Sequence, residues 1–252
     1  MNFEGKTVLV TGAAGGFGQG IAERFAALGA QVVAFDLAGE GVKATAASIA
    51  DGGGKAIACV GDVTVADDWA RVVEAALGSF KTIDILINNA GITHRNQPMC
   101  QVDEATFDRV FAVNVKSIYL SARHVVPEMR SAGGGSIVNI ASTAGIRPRP
   151  GLTWYNGSKG AVITLTRSMA AELAPDRIRV NAINPVMGAT GMLKDLLPGE
   201  DTEEVRARII ATIPLGRFSQ PADIANAATF FADAESSLIT GSILEVDGGR
   251  CV

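Results

Sequence analysis

The stretch Thr7-Val-Leu-Val-Thr-Gly-Ala-Ala-Gly-Gly-Phe-Gly18 joins a short apolar run to a glycine-rich turn. The β-branched residues of its first half are typical of a buried strand. Residues 19–28 then place apolar side chains on one stripe, which predicts a helix that ends at Gly29. A second strand is predicted over residues 31–35, and Asp36 closes it. The stretch therefore predicts a strand, a tight turn, a helix and a second strand with an acid at its end.

The same alternation continues along the rest of the chain. Strands are predicted at 55–60, 83–87, 136–140, 177–183 and 242–246, and helices at 40–50, 65–78, 103–130, 153–174 and 220–233. This pattern predicts an α/β fold, namely a Rossmann-like, doubly wound parallel sheet of about seven strands with helices on both faces. With 252 residues, of which 48% are hydrophobic, the chain can form one domain over 1–252.

Composition narrows the classes of partner and compartment. The formal net charge is −4, and no Lys/Arg tract is present, so neither nucleic acid nor a membrane surface is an expected partner. Three cysteines, Cys59, Cys100 and Cys251, lack the spacing of a metal or redox site. No run of 18 apolar residues occurs, and the first residues lack a signal-peptide pattern. We therefore expect a cytoplasmic protein without a bound metal.

The glycine-rich turn predicts a dinucleotide site. Gly12, Gly16 and Gly18 allow a tight turn whose backbone amides approach a pyrophosphate at a helix N-terminus. A carboxylate at Asp36 accepts hydrogen bonds from ribose hydroxyls and repels a 2′-phosphate. No Lys or Arg lies among residues 11–18, and Leu37 follows Asp36, so no neighbouring cation offsets that repulsion. The predicted cofactor is therefore NAD and not NADP.

A second constellation is suited to proton transfer. Ser142 follows a predicted buried strand, and Tyr155 and Lys159 are four residues apart on a predicted helix, so they share one face. A nearby ammonium lowers the pKa of a phenol, which normally lies near ~10. Tyr and Lys at this spacing also occur on ordinary amphipathic faces, so the other motifs must decide. Together the three groups predict proton transfer to or from an alcohol or carbonyl oxygen.

In combination these motifs resemble the classical short-chain dehydrogenase/reductase family over essentially the whole chain. The matching positions are the glycine turn Thr11–Gly18, Asp62, Asn88-Asn-Ala-Gly91, Asn114, Ser142, Tyr155, Lys159, Asn184-Pro185 and Thr190. The resemblance implies an oxidoreductase that transfers a hydride between NAD and a secondary alcohol or ketone, for example a sugar, a polyol or a hydroxy acid. Tyr155 is then the acid/base, and Ser142, Lys159 and Asn114 complete the catalytic set.

The resemblance also implies which residues contact the cofactor. Asp62 and the Val63 amide would bind adenine, and Pro185 and Thr190 would hold the nicotinamide carboxamide. Val186 departs from the family, which usually has Gly there. The full implied set is Gly12, Gly16, Phe17, Gly18, Asp36, Leu37, Asp62, Val63, Asn89, Ala90, Gly91, Tyr155, Lys159, Pro185, Val186 and Thr190. Family members commonly form homotetramers through the helices at 103–130 and 153–174 and the last strand, and small residues at Ala161, Ala170 and Ala171 suit close helix packing.

The substrate contacts are less determined. The expected contacts are His94, Ser142, Trp154, Met187 and Met192. Arg147 and Arg149 either meet an acidic substrate or are solvated loop cations. Residues 187–213 form a long excursion after a strand, with Gly188, Gly191 and Gly199 as candidate hinges, and we expect a lid over the substrate there.

Three functions remain open at the level of sequence. The first is an NAD-dependent dehydrogenase of secondary alcohols. The second is an NADPH-dependent 3-oxoacyl-(acyl-carrier-protein) reductase, whose general pattern the chain also resembles and which Asp36 disfavours. The third is a dinucleotide sensor without catalysis, which the intact set of Ser142, Tyr155 and Lys159 disfavours.

Overall fold

Seven parallel strands form a single sheet in the computed structural model, which describes residues 1–252. In chain order they are β1 Thr7–Thr11, β2 Gln31–Asp36, β3 Lys55–Val60, β4 Ile85–Asn88, β5 Gly135–Ile140, β6 Ile178–Pro185 and β7 Ile243–Val246. Their order across the sheet is β3-β2-β1-β4-β5-β6-β7, with every pair parallel. The order reverses between β1 and β4, and such switch points open a crevice at the carboxyl ends of the strands. The predicted fold class is confirmed.

Nine α-helices connect and cover the strands. They are α1 Gly16–Ala27, α2 Gly39–Asp51, α3 Ala66–Phe80, α4 Glu104–Phe111, α5 Ser117–Ser131, α6 Thr153–Leu173, α7 Leu193–Leu196, α8 Glu203–Ile210 and α9 Pro221–Ala232. No helix combines the length and the apolar character that crossing a membrane requires.

The sheet has an apolar layer on each face because successive side chains of a strand point to opposite sides. On one face Val8 and Val10 of β1 pack with Phe25 of α1 and Phe231 of α9. On the other face Leu9 packs in the cluster that contains Trp69, Val72 and Met129. Near-continuous apolar strands are the expected consequence of covering a parallel sheet on both sides.

The helical stretch predicted at 103–130 is interrupted. Between α4 and α5 a π-helical turn spans Ala112–Lys116, with Asn114 in its middle. Asp103 caps the start of α4 by accepting a hydrogen bond from the Thr106 amide at 2.7 Å. A π turn contains an extra residue that apolar periodicity does not reveal, and such turns are frequent at functional sites.

A third apolar cluster covers the carboxyl ends of the strands. Leu193, Leu196 and Leu197 of the predicted lid are buried against Leu152 and Tyr155. By contrast, α8 buries none of its residues. The first half of the segment at 187–213 thus contributes buried side chains to this cluster, whereas α8 in its second half packs on the cluster only through the partly buried Val205, Ile209 and Ile210.

One detail of the expected helix packing is wrong. Ala170 is buried at 3% exposure inside the core, so it is not available to a second subunit. Ala171, one position further along α6, is exposed.

Candidate active site

A cavity of about 510 Å³ lies at the carboxyl edge of the sheet, beside the switch point. Its wall contains Gly12 after β1, Asp36 of β2, Asn89 after β4, Ala141 after β5 and Pro185 of β6. The volume is within the ordinary range of cofactor and ligand sites. Five parallel strands therefore bring residues that are far apart in sequence into one site.

The glycine turn requires glycine for two different reasons. Gly12 and Gly16 have φ values of 67° and 55°, in the left-handed region that disfavours other residues. A side chain at Gly18 would instead collide with the backbone, because its Cβ would lie 2.0 Å from the Gly12 carbonyl oxygen. Gly18 does not line the cavity, so its role is close packing of α1 on the turn.

Asn89 holds the turn in place from the neighbouring strand. Its Nδ2 donates to the carbonyl oxygens of Thr11 at 2.8 Å and Gly12 at 3.1 Å. The Asn89 and Ala90 amides both donate to Thr11 Oγ1 at 3.0 Å. The turn is consequently fixed before any ligand arrives.

The N-terminus of α1 fits a pyrophosphate. Gly15, Gly16 and Phe17 line the cavity at this end, and no side chain caps the helix. The first amides of a helix lack intrahelical acceptors, and the helix dipole makes this end positive. A bound phosphate group would supply the missing acceptors.

Asp36 is rigidly placed at the same end. Its two carboxylate oxygens accept hydrogen bonds from the amides of Ala14 at 2.9 Å and Ala38 at 2.8 Å. Asp36 lines the cavity and forms no salt bridge. Lone pairs that remain on the carboxylate can accept from ribose hydroxyls.

The three residues expected to bind the adenine side lie outside the cavity wall. Leu37 is 58% exposed, and Val63 is buried. Asp62 Oδ1 accepts hydrogen bonds from both the amide and the hydroxyl of Thr64 at 2.8 Å. They adjoin the Asp36 end of the cavity, since the Gly61 amide donates to the Asp36 carbonyl oxygen at 3.0 Å.

Ser142, Tyr155 and Lys159 converge on the cavity wall as the sequence predicts. Tyr155 and Lys159 are buried on α6, at 5% and 4% exposure. Lys159 Nζ donates to the Ile140 carbonyl oxygen at 2.8 Å. Ser142 follows β5, and its Oγ accepts from the Ala144 amide at 3.1 Å. The close approach of α6 to the end of β5 thus joins the hydroxyl, phenol and ammonium in one site.

Burial shifts the pKa values of the phenol and the ammonium in opposite directions. Desolvation lowers the pKa of Lys159 to about 8. Desolvation raises the pKa of Tyr155, and this outweighs the hydrogen bond of Ser142 and the positive charge of Arg149, which both lower it. The net shift of the Tyr155 pKa is thus upward, opposite to the expected lowering. The charge of Arg149 is one cause that lowers it, and the effect of Lys159 on the phenol stays a prediction.

Asn114 lies behind Lys159 and does not line the cavity. Its Oδ1 accepts from the Ile92 amide at 2.8 Å, and its Nδ2 donates to the Ile92 carbonyl and Ser158 Oγ at 2.9 Å. A Cβ on Gly91 would lie 3.2 Å from Lys159 Nζ and 3.4 Å from Asn114 Oδ1. Asn114 thus fixes the loop beside Lys159, and its membership of the catalytic set remains a prediction.

Pro185, Val186 and Thr190 line the cavity near the lid. The Val186 amide donates to the Val246 carbonyl at 3.2 Å, and its own carbonyl accepts from Ser219 Oγ at 3.0 Å. The side chain of Val186 packs in the apolar cluster of the lid. The β-branched residue is accommodated because its φ is not in the left-handed region and both of its backbone polar groups are paired.

The expected substrate contacts divide into two groups. Met187 and Met192 line the cavity together with Ser142. His94 and Trp154 do not. His94 is buried, with Nδ1 2.8 Å from the Arg95 carbonyl oxygen. Trp154 donates to the Met99 carbonyl at 3.1 Å and packs edge-on against Phe107, because on a helix it points away from the face of its neighbour Tyr155.

Several cavity residues were not expected from the sequence. Arg208, Ile209 and Thr212 come from the segment predicted to be a lid, and Arg250 comes from the turn after β7. Arg250 follows β7, which pairs in parallel with β6 and so ends at the same edge. No local motif marks these positions, because only the packing of the lid and the last strand brings them to the cavity.

Comparisons with known proteins agree with this geometry. A sequence profile of the family described as enoyl-(acyl carrier protein) reductase matches residues 12–250. The chain is 46% identical over 250 residues to 4-formylbenzenesulfonate dehydrogenase of Comamonas testosteroni, covering 99% of each chain.

Solved structures give the same result. The crystal structure of 3-ketoacyl-(acyl-carrier-protein) reductase from Brucella melitensis, complexed with NADH, is 43% identical with a TM-score of 0.93 over 100% of both chains. A structure from Beutenbergia cavernae, described as an NAD(P)-dependent gluconate 5-dehydrogenase with bound NADP, is 36% identical with a TM-score of 0.92 over 99% of this chain and 98% of that one. These relatives are dehydrogenases and reductases, and the protein is an enzyme that acts on CH–OH groups with a nicotinamide dinucleotide. With its sheet order, glycine turn and Ser142–Tyr155–Lys159 site, the chain belongs to the classical short-chain dehydrogenase/reductase family.

Proposed function

We propose that this enzyme uses NAD to oxidise a secondary alcohol to a ketone, and catalyses the reverse reduction with NADH. The observation that carries the choice of cofactor is the placement of Asp36, whose carboxylate is fixed by two backbone amides in the cavity wall. A 2′-phosphate beside it would be repelled, and no ion pair neutralises the carboxylate.

The cofactor and the side chains of the protein supply different parts of the reaction, the hydride transfer and the proton transfer. The nicotinamide ring, when bound, accepts or returns the hydride. Tyr155 takes the proton of the substrate hydroxyl in oxidation and gives it back in reduction. Ser142 donates a hydrogen bond that orients the substrate oxygen, and Lys159 supplies positive charge next to the phenolate.

The surroundings of the phenol support this assignment. Tyr155 is buried in one apolar cluster with Leu152, Val186 and Leu196, which limits the access of water to the phenol. Because burial alone raises the pKa of Tyr155, the hydroxyl remains protonated until cations near it favour the phenolate. The charge of Arg149 supplies part of that effect, and the hydrogen bond of Ser142 also favours the phenolate.

Titration of the purified enzyme with both cofactors tests the proposal. We expect NAD and NADH to bind more tightly than their 2′-phosphorylated forms. Asp36→Asn removes the charge at nearly constant size, so the preference should fall by about tenfold, or ~1.4 kcal/mol. Arg24→Gln, an exposed change on the same α1 outside the cavity, is the control and should keep the wild-type preference. Tighter binding of NADP than NAD by the wild-type enzyme would contradict the proposal.

A screen of alcohols tests the reaction. Secondary alcohols, including polyols, hydroxy acids and cyclic alcohols, are offered with NAD, and NADH formation is followed by absorbance. The second candidate is a 3-oxoacyl-(acyl-carrier-protein) reductase, which the name of the Brucella relative favours. A 3-oxoacyl thioester with NADPH is therefore included. Faster turnover of that pair than of every alcohol would replace the first candidate with the second.

A further inference from the structure

Four arginines line the cavity without a carboxylate partner. They are Arg147, Arg149, Arg208 and Arg250. The salt bridges of the protein all involve other basic groups. The single acid in the cavity wall is Asp36, and both of its oxygens already accept backbone hydrogen bonds. The cavity thus holds a local excess of positive charge in a protein whose net charge is −4.

Three of these arginines are close to one another. Arg147 Nη1 donates to the carbonyl oxygen of Arg250. Burial lowers the pKa of Arg149, and the charge of Arg250 lowers it further. Arg149 and Arg250 are half-buried, unlike solvated loop cations. Gathering like charges in a partly desolvated wall costs free energy unless an anion occupies the space between them.

The position of Arg149 shows at which end of the cavity it lies. Asn156, the neighbour of Tyr155 on α6, donates from Nδ2 to the Arg149 carbonyl oxygen at 2.9 Å, and Arg149 and Tyr155 line the same cavity. In agreement with this proximity, the charge of Arg149 lowers the pKa of Tyr155. The phosphate-binding features, namely the N-terminus of α1 and the glycine turn, belong to a different part of the wall. No side-chain carboxylate of the chain forms an ion pair with Arg147, Arg149 or Arg250. Neither the cofactor nor the chain itself therefore supplies an anion to Arg149 and Arg250.

We propose that the substrate carries an oxyanion, a carboxylate or a sulfonate, which Arg149 and Arg250 bind on the substrate side of Tyr155. A planar guanidinium donates two parallel hydrogen bonds to such a group. Arg208 enters the wall from the lid, so closure of the lid adds a third positive charge. The proposal rests on the proposed function, because it extends the alcohol to one with an anionic substituent.

Binding of unreactive probes tests the site directly. Calorimetry measures benzoate, benzenesulfonate and neutral benzamide, with the protein alone and with NADH present. We expect at least one of the two anions to bind at least tenfold more tightly than benzamide. Arg149→Gln and Arg250→Gln should each weaken the binding of that anion by 10- to 100-fold and leave that of benzamide unchanged. Arg24→Gln, outside the cavity, is the matched control and should change neither. Tighter binding of benzoate or of benzenesulfonate shows whether the anionic group of the substrate is a carboxylate or a sulfonate.

Kinetics provide a second measurement, the ratio of two kcat/KM values, which a general loss of activity would leave unchanged. The ratio of kcat/KM for 4-hydroxycyclohexanecarboxylate to that for its neutral amide should fall at least tenfold in Arg250→Gln. Equal binding of anion and amide by the wild-type protein would overturn the proposal, as would anion binding that both variants retain. Weaker NADP binding by these variants with unchanged anion binding would assign the arginines to a cofactor phosphate and also overturn it. If the anions bind as expected but no alcohol is oxidised, the proposed function fails and the anion site stands.

Discussion

Tyr155 and Lys159 show how burial tunes single residues. The same desolvation lowers the pKa of the lysine to about 8 and raises that of the phenol. Each shift disfavours the charged form, which is the form that the reaction uses at some step. Under the proposed function, neighbouring cations and hydrogen bonds must favour the phenolate, and Arg149 and Ser142 both act in that direction.

Tyr155→Phe separates proton transfer from binding. The change removes only the hydroxyl, so we expect kcat to fall by about 10²- to 10⁴-fold, the usual contribution of general acid–base catalysis, with NADH affinity little changed. Lys159→Met should reduce both, because the ammonium is expected to bond the nicotinamide ribose as well. Tyr119→Phe is the matched control, since the second tyrosine is 56% exposed on α5 and outside the cavity. Near wild-type turnover by the Tyr155→Phe enzyme would exclude this residue as the acid/base.

Among the elements, the segment at 187–213 combines a part with buried leucines and a helix, α8, that is only partly buried. Leu193, Leu196 and Leu197 are buried at 5%, 7% and 2% exposure over the active site. Burial of such side chains stabilises the closed arrangement by ~25 cal/mol per Å² of apolar surface. In contrast, α8 buries no residue, and Gly199 with φ of 107° allows the chain to change direction between the two parts.

Hydrogen exchange tests whether this segment is a lid. We expect amides across 190–210 to exchange more slowly with NAD and substrate bound, because ligand contacts at Met192, Arg208 and Thr212 add to the apolar anchor. Strand β5, Gly135–Ile140, serves as the internal reference and should change little, since it lies in the centre of the sheet. Equal exchange of 190–210 in both states would identify a static insertion.

For the molecule as a whole, two exposed apolar side chains, Leu238 and Phe230, lie near the β7 edge of the sheet. Strand β7 is an edge strand and leaves one side unpaired. Leu238 is 96% exposed in the turn before it, and Phe230 of α9 is 40% exposed. An unpaired edge beside apolar side chains is a typical contact surface for a second subunit.

The expected homotetramer is tested by light scattering. We expect the wild-type protein to scatter as about 104 kDa, four times the chain mass of 26.0 kDa, at micromolar concentration. Leu238→Glu should shift the population to smaller species, because it introduces a charge at the apolar edge. Val65→Glu alters an exposed residue beyond the opposite edge strand β3 and should leave the mass unchanged. A wild-type mass of 26 kDa would reject the tetramer, and an intact tetramer of the Leu238 variant would place the interface elsewhere.

The sequence by itself determined the α/β order of elements, the glycine turn, Asp36 and the Ser142–Tyr155–Lys159 site. These features are local, because strand and helix periods, left-handed glycines and residues four apart on a helix are set by neighbours in the chain. The fixed spacing of such motifs along parallel strands then places them at one edge of the sheet.

Only the tertiary structure decided the electrostatics and the substrate end of the cavity. The direction of the Tyr155 pKa shift depends on burial, which no local pattern reports. The π turn at Asn114, the inward orientation of His94 and the position of Trp154 depend on packing between elements. Arg250 reaches the cavity only because β7 pairs with β6, and Arg208 only because the lid folds over Tyr155. Contacts between residues distant in the chain bring these charges together, so their shared site is visible only in the folded molecule.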